Sequence, residues 1–393
     1  MTDPATTPAT DPGTDPATEA TGPVIVRLST RLLTAPMPRP WVPEAPRLHV
    51  IVVDVEDSDG ATGTGFSWTP TIGAGAVRAL LDEDIRSFAL GRPADARTLW
   101  PLLWAHLHEA GGGGVTTIAL AGLDTALWDL AGRRAGLSLS RLLGRRRDSV
   151  PAYGSGVNLH YPIDELVAQA ERWVATGYTA VKIKVGKPDA REDADRVAAV
   201  RAVIGPDRLL MLDANQRWDL PTAITRIQAL TRFDPHWIEE PLRSDDTAGY
   251  RALRAAVDVP IALGENVHTI HRFRDLLDAG AADILQPNVV RVGGITPFLE
   301  IAELVEASAA RLAPHLLMEL SGQLALTLAA ETAVEDVEDA DFTSLGLLAS
   351  AGPLVQTGNV LRMRDSPGLG LDFVQAAPST TDLSRPSIRL ENA

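Results

Sequence analysis

Two lysines stand two residues apart in the segment AVKIKVG, which has the composition of a short buried strand. Because side chains alternate along a strand, Lys182 and Lys184 would point to the same side, and two buried ammonium groups need anions opposite them. The chain has three lysines among its 36 basic residues, so a sequence that otherwise uses arginine has kept lysine here. Arginine stays charged, whereas a lysine can lose its proton and act as a base. The pair therefore favours a chemical function over surface charge.

Acidic residues end the next three strand-like segments, MLDAN, WIEEP and ALGEN. One carboxylate from each segment, namely Asp213, then Glu239 or Glu240, then Glu265, would converge near one point. Three hard oxygen ligands without histidine or cysteine suit Mg²⁺, with water and substrate in the remaining positions. A single acid at such a place could instead cap the following helix. Three acids in consecutive segments, facing a lysine pair, favour a metal site.

Short apolar segments alternate with helical patterns from residue 150 onward, and this repeat would position the polar residues. The predicted strands are Pro151–Gly154, Ala180–Val185, Leu209–Asp213, Trp237–Glu240, Ile261–Glu265, Asp283–Pro287 and Ala313–His315. The predicted helices are Ile163–Ala175, Ala190–Ile204, Leu220–Leu230, Ala248–Ala256, Ile270–Ala279 and Pro297–Ala309. Units of this size, repeated without reversal, predict parallel strands with crossover helices, and seven or eight of them close into a (β/α) barrel. In such a barrel the active site lies at the C-terminal ends of the strands.

The sequence before residue 150 has a different pattern. Residues 1–22 repeat Thr, Asp, Pro and Ala and predict a disordered tail. Val24–Leu33 and Leu48–Val55 alternate like antiparallel strands, and helical patterns follow at Gly75–Leu90, Asp95–His108 and Thr117–Ala135. Sheet followed by helices predicts a small α+β domain that ends near Arg147. The glycine run at 111–114 lies between two helical patterns, so it favours a loop over a phosphate-binding turn.

Composition excludes several classes of function. The formal net charge of −15 argues against a nucleic-acid partner, which would require a basic face. The absence of cysteine excludes disulfides, thiol nucleophiles and thiolate metal sites. No apolar run reaches the roughly 18 residues that span a membrane, and the first residues lack a secretory pattern. A cytoplasmic location is the expectation.

The order Lys-x-Lys, Asp-x-Asn, Ile-Glu-Glu-Pro, Gly-Glu-Asn, Gly-Gly-Ile-Thr and a late Pro-His resembles the mandelate racemase subgroup of the enolase superfamily, from about Val24 to Phe373. The resemblance implies a modified TIM barrel of seven or eight (β/α) units whose mouth is covered by an α+β capping domain. It divides the chain into a tail (1–22), a cap (23–149), a barrel (150–350) and a C-terminal segment (351–393) that returns to the cap. Mg²⁺ as cofactor, a small carboxylic acid as substrate and a homo-oligomer are further implications.

The same resemblance assigns roles to residues. Asp213, Glu239 and Glu265 would bind the metal, with Lys184 as the base on one face of the substrate and His315 as the acid/base on the other. Contacts with the substrate would come from Ser155, Lys182, Asn215, Asn288 and Glu335. A protonated Glu335 and Lys182 would help Mg²⁺ to stabilise an enolate, and Mg²⁺ and Lys182 would lower the pKa of Lys184. Substrate choice would lie in cap loops, at Ala35–Pro46 and Gly63–Thr71.

One residue departs from the family pattern. Asn288, in ILQPNVVRVGG, stands where the subgroup usually has an aspartate behind the histidine. A carboxylate would stabilise an imidazolium, whereas a neutral amide can only orient the ring. Since a racemase needs a good base on both faces, we expect dehydration of a hydroxy or sugar acid to a 2-keto acid. The alternatives are a racemase or epimerase of a 2-hydroxy acid and a non-catalytic metal-binding barrel. Muconate-lactonising relatives place a lysine on strand six, which this chain lacks.

Overall fold

The computed structural model describes residues 22–44 and 46–376. The predicted tail lies outside the described residues apart from Gly22. Near the N-terminus, three antiparallel strands form a sheet in the order β1-β2-β3: β1 (Ile25–Pro36), β2 (Arg47–Asp57) and β3 (Thr62–Thr69). The central strand β2 is buried on both faces from Val50 to Val53, because helices cover one side and the C-terminal segment reaches the sheet.

The helices of this domain follow the sheet in the chain. They are α1 (Ala74–Leu80), α2 (Arg86–Ala89), α3 (Ala96–Leu107), α4 (Val115–Ala135) and α5 (Leu139–Leu142). The predicted single helix at 75–90 is interrupted by a π-helical turn at Leu81–Ile85. The long helix α4 is buried along most of its length and packs on β3, as expected of a helix that is apolar on most sides.

One of the two predicted substrate loops is wrong. Residues 62–69 form β3, and a Cβ atom at Gly63 or Gly65 would clash with the backbone of Ala126 in α4. These glycines therefore let a strand and a helix approach closely, and the segment belongs to the core of the cap. In the other predicted loop, Ala35–Pro46, the described residues after β1 form no helix or strand, and Arg39 pairs with Asp339 at 2.8 Å.

A series of parallel strands alternating with helices begins at residue 150, as the spacing predicts. The strands are β4 (Val150–Ser155), β5 (Ala180–Lys184), β6 (Leu209–Asp213), β7 (Pro235–Glu239), β8 (Ile261–Leu263), β9 (Ile284–Leu285), β10 (Arg311–Leu312) and β11 (Val334–Val337). The helices are α6 (Ile163–Thr176), α7 (Ala190–Ile204), α8 (Leu220–Leu230), α9 (Thr247–Ala256), α10 (Ile270–Asp278), α11 (Ile295–Glu306) and α12 (Met318–Ala325). Parallel pairing runs unbroken from β11 through β4 to β10. This arrangement confirms the predicted barrel-like α/β architecture and adds β11, which the apolar pattern missed.

The C-terminal segment completes the capping domain, as expected. A hairpin of β12 (Leu354–Thr357) and β13 (Val360–Met363) pairs with β4, and the chain then crosses to the cap. There the backbone N–H of Leu369 donates to Asp129 Oδ1 at 2.7 Å. The ring of Phe373 lies 5.7 Å from that of Phe66 on β3.

The cap meets the barrel at the C-terminal ends of the strands. Trp100 Nε1 donates to the carbonyl oxygen of Gly293 at 2.8 Å, and Trp128 Nε1 donates to Thr296 Oγ1 at 3.0 Å. Asp124 accepts the backbone N–H of Thr296 at 3.0 Å. These contacts place α3 and α4 against the loop after β9 and the first turn of α11, so the cap covers the face on which barrel enzymes carry out their chemistry. In the described part of the chain, no helix has the length and apolarity needed to cross a bilayer.

Glu319 in α12 is buried beside β11 and gives the fold a measurable pH dependence. Burial, and then the charge of Asp341, raise the pKa of this carboxyl to about 8. Between its ordinary value and about 8 the unfolded carboxyl is ionised while the folded one keeps its proton, so stability falls as pH rises. The full cost, on the order of a few kcal/mol, is reached above pH 8.

Glu319→Gln is therefore expected to flatten this dependence. The melting temperature of the variant relative to the wild type should rise steadily from pH 5 to pH 8.5, measured by circular dichroism. The exposed Glu331→Gln serves as control and should keep a constant difference. A constant difference for Glu319→Gln as well would contradict the assignment.

Candidate active site

Neighbouring strands bring the predicted polar residues together in register. Lys184 on β5 pairs with Asp213 on β6, which in turn pairs with Glu239 on β7. All three are buried, as is Lys182. The two lysines point to the same side of β5, as the alternation predicts, and each finds an anion: Lys184 Nζ forms an ion pair with Asp213 Oδ2, and Lys182 Nζ lies 2.6 Å from Glu239 Oε1.

The carboxylates determine the charge of both lysines. Burial alone would lower the pKa of Lys182, but Glu239 and Glu335 outweigh burial and hold the pKa well above its ordinary value. For Lys184, burial and Lys182 both lower the pKa, and the adjacent Asp213 raises it above the ordinary value. Lys182 thus acts in the predicted direction, but Asp213 has the larger effect on Lys184.

Glu239 faces Lys182, Glu265 and His315, whereas Glu240, which is also buried, accepts from the amides of Gln216 and Asn266. Glu239 Oε2 accepts from Trp237 Nε1 at 3.2 Å and from Gln286 Nε2 at 2.8 Å. The ligand atoms of Glu239, Glu265 and His315 lie within 4.8 Å of one another. The structure does not include Asp213 in that closest group, since its Oδ2 faces Lys184, although it adjoins Glu239 in the sheet.

The acids at the strand ends are not helix caps. The side chains that cap α8, α9 and α10 are Asp219, Asp246 and Thr269, which accept from Thr222, Gly249 and Arg272. The alternative reading of Asp213, Glu239 and Glu265 as N-caps is therefore excluded. Three buried carboxylates, each beside a lysine or histidine, form a donor set that fits Mg²⁺, because hard oxygen ligands of high charge are what this cation prefers.

His315 and Asn288 differ from the lysines in their surroundings. His315 Nε2 lies 2.7 Å from Glu265 Oε2 and 3.6 Å from Glu335 Oε2. Its Nδ1 lies 3.0 Å from Asn288 Nδ2, and Asn288 is fully buried. The predicted contact between Asn288 and the histidine is therefore present in the structure.

The expectation that Glu335 is protonated is wrong. Burial raises its pKa, but the positive charges around it, that of Lys182 first, outweigh burial and hold the pKa below its ordinary value. The carboxyl is therefore ionised in this structure, not protonated as predicted. Its Oε1 accepts from Ser155 Oγ at 2.7 Å and lies 2.7 Å from Lys182 Nζ.

The remaining predicted contact residue, Asn215, lies against the acids. Its backbone N–H donates to Asp213 Oδ1 at 2.8 Å, and its Nδ2 is 3.3 Å from Asp213 Oδ2. Sequence reasoning missed Trp237 and Gln286, which hold Glu239 by hydrogen bonds. The signal was available, because each lies two residues before a predicted site residue, Glu239 or Asn288, and alternate residues of a strand share a face.

Comparison with known proteins agrees with this geometry. Residues 42–144 match the N-terminal domain of the mandelate racemase / muconate lactonizing enzyme family, and residues 165–377 match the enolase C-terminal domain-like family. The chain is 40% identical over 329 residues to 3,6-anhydro-alpha-L-galactonate cycloisomerase of Streptomyces coelicolor, covering 83% of this chain and 90% of the relative.

Solved structures show the same similarity over most of the chain. L-talarate dehydratase from Polaromonas sp. JS666, complexed with Mg and L-glucarate, has a TM-score of 0.81 and 37% identity, covering 90% of this chain and 96% of its own. A racemase from Streptomyces coelicolor A3(2) with bound magnesium has a TM-score of 0.84 and 36% identity, covering 89% and 97%. The predicted enzyme class and its magnesium cofactor are thereby confirmed. The chain belongs to the mandelate racemase/muconate lactonizing enzyme family of the enolase superfamily.

Proposed function

We propose that this enzyme removes the proton alpha to the carboxylate of a sugar acid and then expels the oxygen on the next carbon, so that the product is a 2-keto acid. The observation that carries the proposal is the difference between the surroundings of Lys184 and His315. Lys184 forms an ion pair with Asp213, whereas Nδ1 of His315 faces a buried amide, 3.0 Å away, in place of a carboxylate. One strong base and one donor suit an elimination better than a racemisation, which requires a base on each face.

The acids and Lys182 would stabilise charge. Asp213, Glu239 and Glu265 would hold Mg²⁺, which, when bound, supplies positive charge to the substrate carboxylate and to the developing enolate. Lys182 would add a second positive charge, held in place by Glu239 and Glu335 on either side. Ser155 and Asn215 would complete the contacts with the carboxylate end of the substrate, Ser155 being oriented by its bond to Glu335.

Lys184 would perform the proton transfer. The residue would act in its neutral form, which requires that Asp213 leave the ion pair that raises the pKa of this lysine. The neutral amine would take the alpha proton, and the electron pair of the C–H bond would form the enolate. That pair then breaks the bond between the neighbouring carbon and its oxygen, on the side faced by His315. In a dehydration, the expelled hydroxide and the proton taken by Lys184 together account for the water lost, and the resulting enol becomes the 2-keto acid.

A cycloisomerase is the second candidate, and the similarity to the cycloisomerase of Streptomyces coelicolor favours it. In a 3,6-anhydro sugar acid, the oxygen on the third carbon belongs to a ring. The same alpha-proton abstraction and elimination would open that ring, and the product would be an isomer with no loss of water. The two candidates share every catalytic step before the oxygen leaves, so substrate structure alone separates them.

Incubation of the Mg²⁺-loaded enzyme with mono- and diacid sugars and anhydro sugar acids in D₂O tests the proposal. Formation of a 2-keto acid with loss of water supports a dehydratase, and its formation without loss of water supports a cycloisomerase. Deuterium incorporation with inversion and no keto product would select the racemase or epimerase. Absence of exchange with every acid of a broad panel would favour the non-catalytic barrel.

The other predictions concern assembly and location. We propose a small carboxylic acid as the ligand of the site, in line with L-glucarate in the Polaromonas dehydratase. Homo-oligomer formation and a cytoplasmic location stay predictions. Light scattering coupled to size-exclusion chromatography would measure the mass of the assembly directly. A mass of one chain would contradict the predicted homo-oligomer.

A further inference from the structure

The amide of Asn288 has only one possible orientation. Its Oδ1 accepts the backbone N–H groups of Val290 and Arg291, both at 3.1 Å. Rotating the amide by half a turn would direct its NH₂ group at these two N–H groups. Both would then lack an acceptor, and both hydrogen bonds would be lost. The Nδ2 group must therefore face the ring of His315, where it lies 3.0 Å from Nδ1.

This orientation determines where the proton of the imidazole resides. An amide NH₂ group donates and cannot accept, so His315 Nδ1 must present its lone pair. A neutral imidazole carries a single ring proton, so that proton must lie on the opposite nitrogen, Nε2.

We infer that Asn288 is a positioning residue that holds His315 as the neutral Nε2–H tautomer, so that the histidine acts as a hydrogen-bond donor to the oxygen that leaves and not as a second base. To act as a base, the ring would need a bare Nε2 and a proton on Nδ1, which would point at the amide NH₂. A doubly protonated ring would also direct the Nδ1 proton at the amide NH₂ group. The inference rests on the proposed function, in which Lys184 removes the alpha proton.

Asn288→Asp is the variant that is expected to move the ring proton of His315 to Nδ1. One carboxylate oxygen can still accept from Val290 and Arg291, so the turn after β9 is preserved. The other oxygen becomes an acceptor facing Nδ1, and the ring proton is expected to move there. His315 would then present a bare Nε2 to the cavity and gain the ability to take a proton.

Ring ¹⁵N chemical shifts of the histidine-labelled, Mg²⁺-loaded enzyme test the tautomer at a single pH, with His315→Gln to assign the signal. The wild type should show a protonated Nε2 and an unprotonated Nδ1, and Asn288→Asp should lose that pattern. A protonated Nδ1 in the wild type would overturn the inference. This measurement decides the matter even if the variant fails to fold.

Exchange of the alpha proton in D₂O gives a functional readout that a purely structural role would not change. Lys184→Ala should show no exchange above the background rate. Lys184→Ala combined with Asn288→Asp should restore exchange by at least about 10-fold, on the opposite face, since a positioned base contributes about 10²–10⁴-fold. Equal rates in the single and double variants would overturn the inference. Substantial exchange in Lys184→Ala alone would instead refute the assignment of Lys184 as the base, on which the proposed function depends.

Discussion

Lys184→Ala is expected to lower turnover by on the order of 10³-fold or more while leaving Mg²⁺ binding intact. Removal of a positioned base costs about 10²–10⁴-fold, and the residue is one of three lysines in the chain. The structure also predicts the direction in which the Mg²⁺ affinity of this variant should change. Because Lys184 forms an ion pair with Asp213, its removal frees a carboxylate, so Mg²⁺ affinity should be unchanged or higher.

The measurement combines steady-state kinetics with titration calorimetry of Mg²⁺. Lys187→Ala provides a matched control, since Lys187 lies three residues further along, outside the buried cluster, 3.8 Å from Glu192. That control should retain full activity. A loss of Mg²⁺ affinity in Lys184→Ala would show that the ligand set is misassigned.

Glu265→Gln is expected to have the opposite profile, with loss of both Mg²⁺ affinity and turnover. Glutamine keeps the size of the side chain but removes the charge that a divalent cation requires, so affinity should fall by on the order of 100-fold or more. His315 also loses the carboxylate that lies 2.7 Å from its Nε2. Calorimetry of Mg²⁺ and the rate at saturating Mg²⁺ measure the two effects separately.

Glu300→Gln, an exposed substitution on α11, is the control for the change of Glu to Gln. It should bind Mg²⁺ like the wild type. Unchanged affinity in Glu265→Gln would remove this residue from the metal site. Taken together, Lys184→Ala and Glu265→Gln separate the base from the ligands, because only Glu265→Gln should weaken Mg²⁺ binding.

The parallel strands and the cluster of charged residues could be predicted because both depend on periodic spacing. Alternation along β5 places Lys182 and Lys184 on one side, and a repeat of 23 to 29 residues places their partners on adjacent strands. The family resemblance supplied Glu335 but not β11, since Val334–Val337 is only four residues long. Such a strand is too short to show a period.

The state of individual groups could not be predicted, because it depends on distances between side chains. Glu335 was expected to be protonated, yet Lys182 lies 2.7 Å from it and keeps it charged. The segment Gly63–Thr71 was expected to be a substrate loop, but residues 62–69 form a strand. Its glycines accommodate α4, and nothing in the local sequence distinguishes such a strand from a loop. Residue roles and the boundaries of the domains stay predictions for the experiments above.

The cap contains residues from both ends of the described chain, with Phe66 and Phe373 in contact across 307 positions. During synthesis from the N-terminus, α4 and the three-stranded sheet emerge before the barrel, but the segment around Phe373 that covers them emerges only after it. Domains generally fold in the order of synthesis, but the cap can complete its fold only after the barrel has been synthesised. The barrel can therefore assemble before its cover, and competence for chemistry should be the final event in the maturation of each newly made molecule.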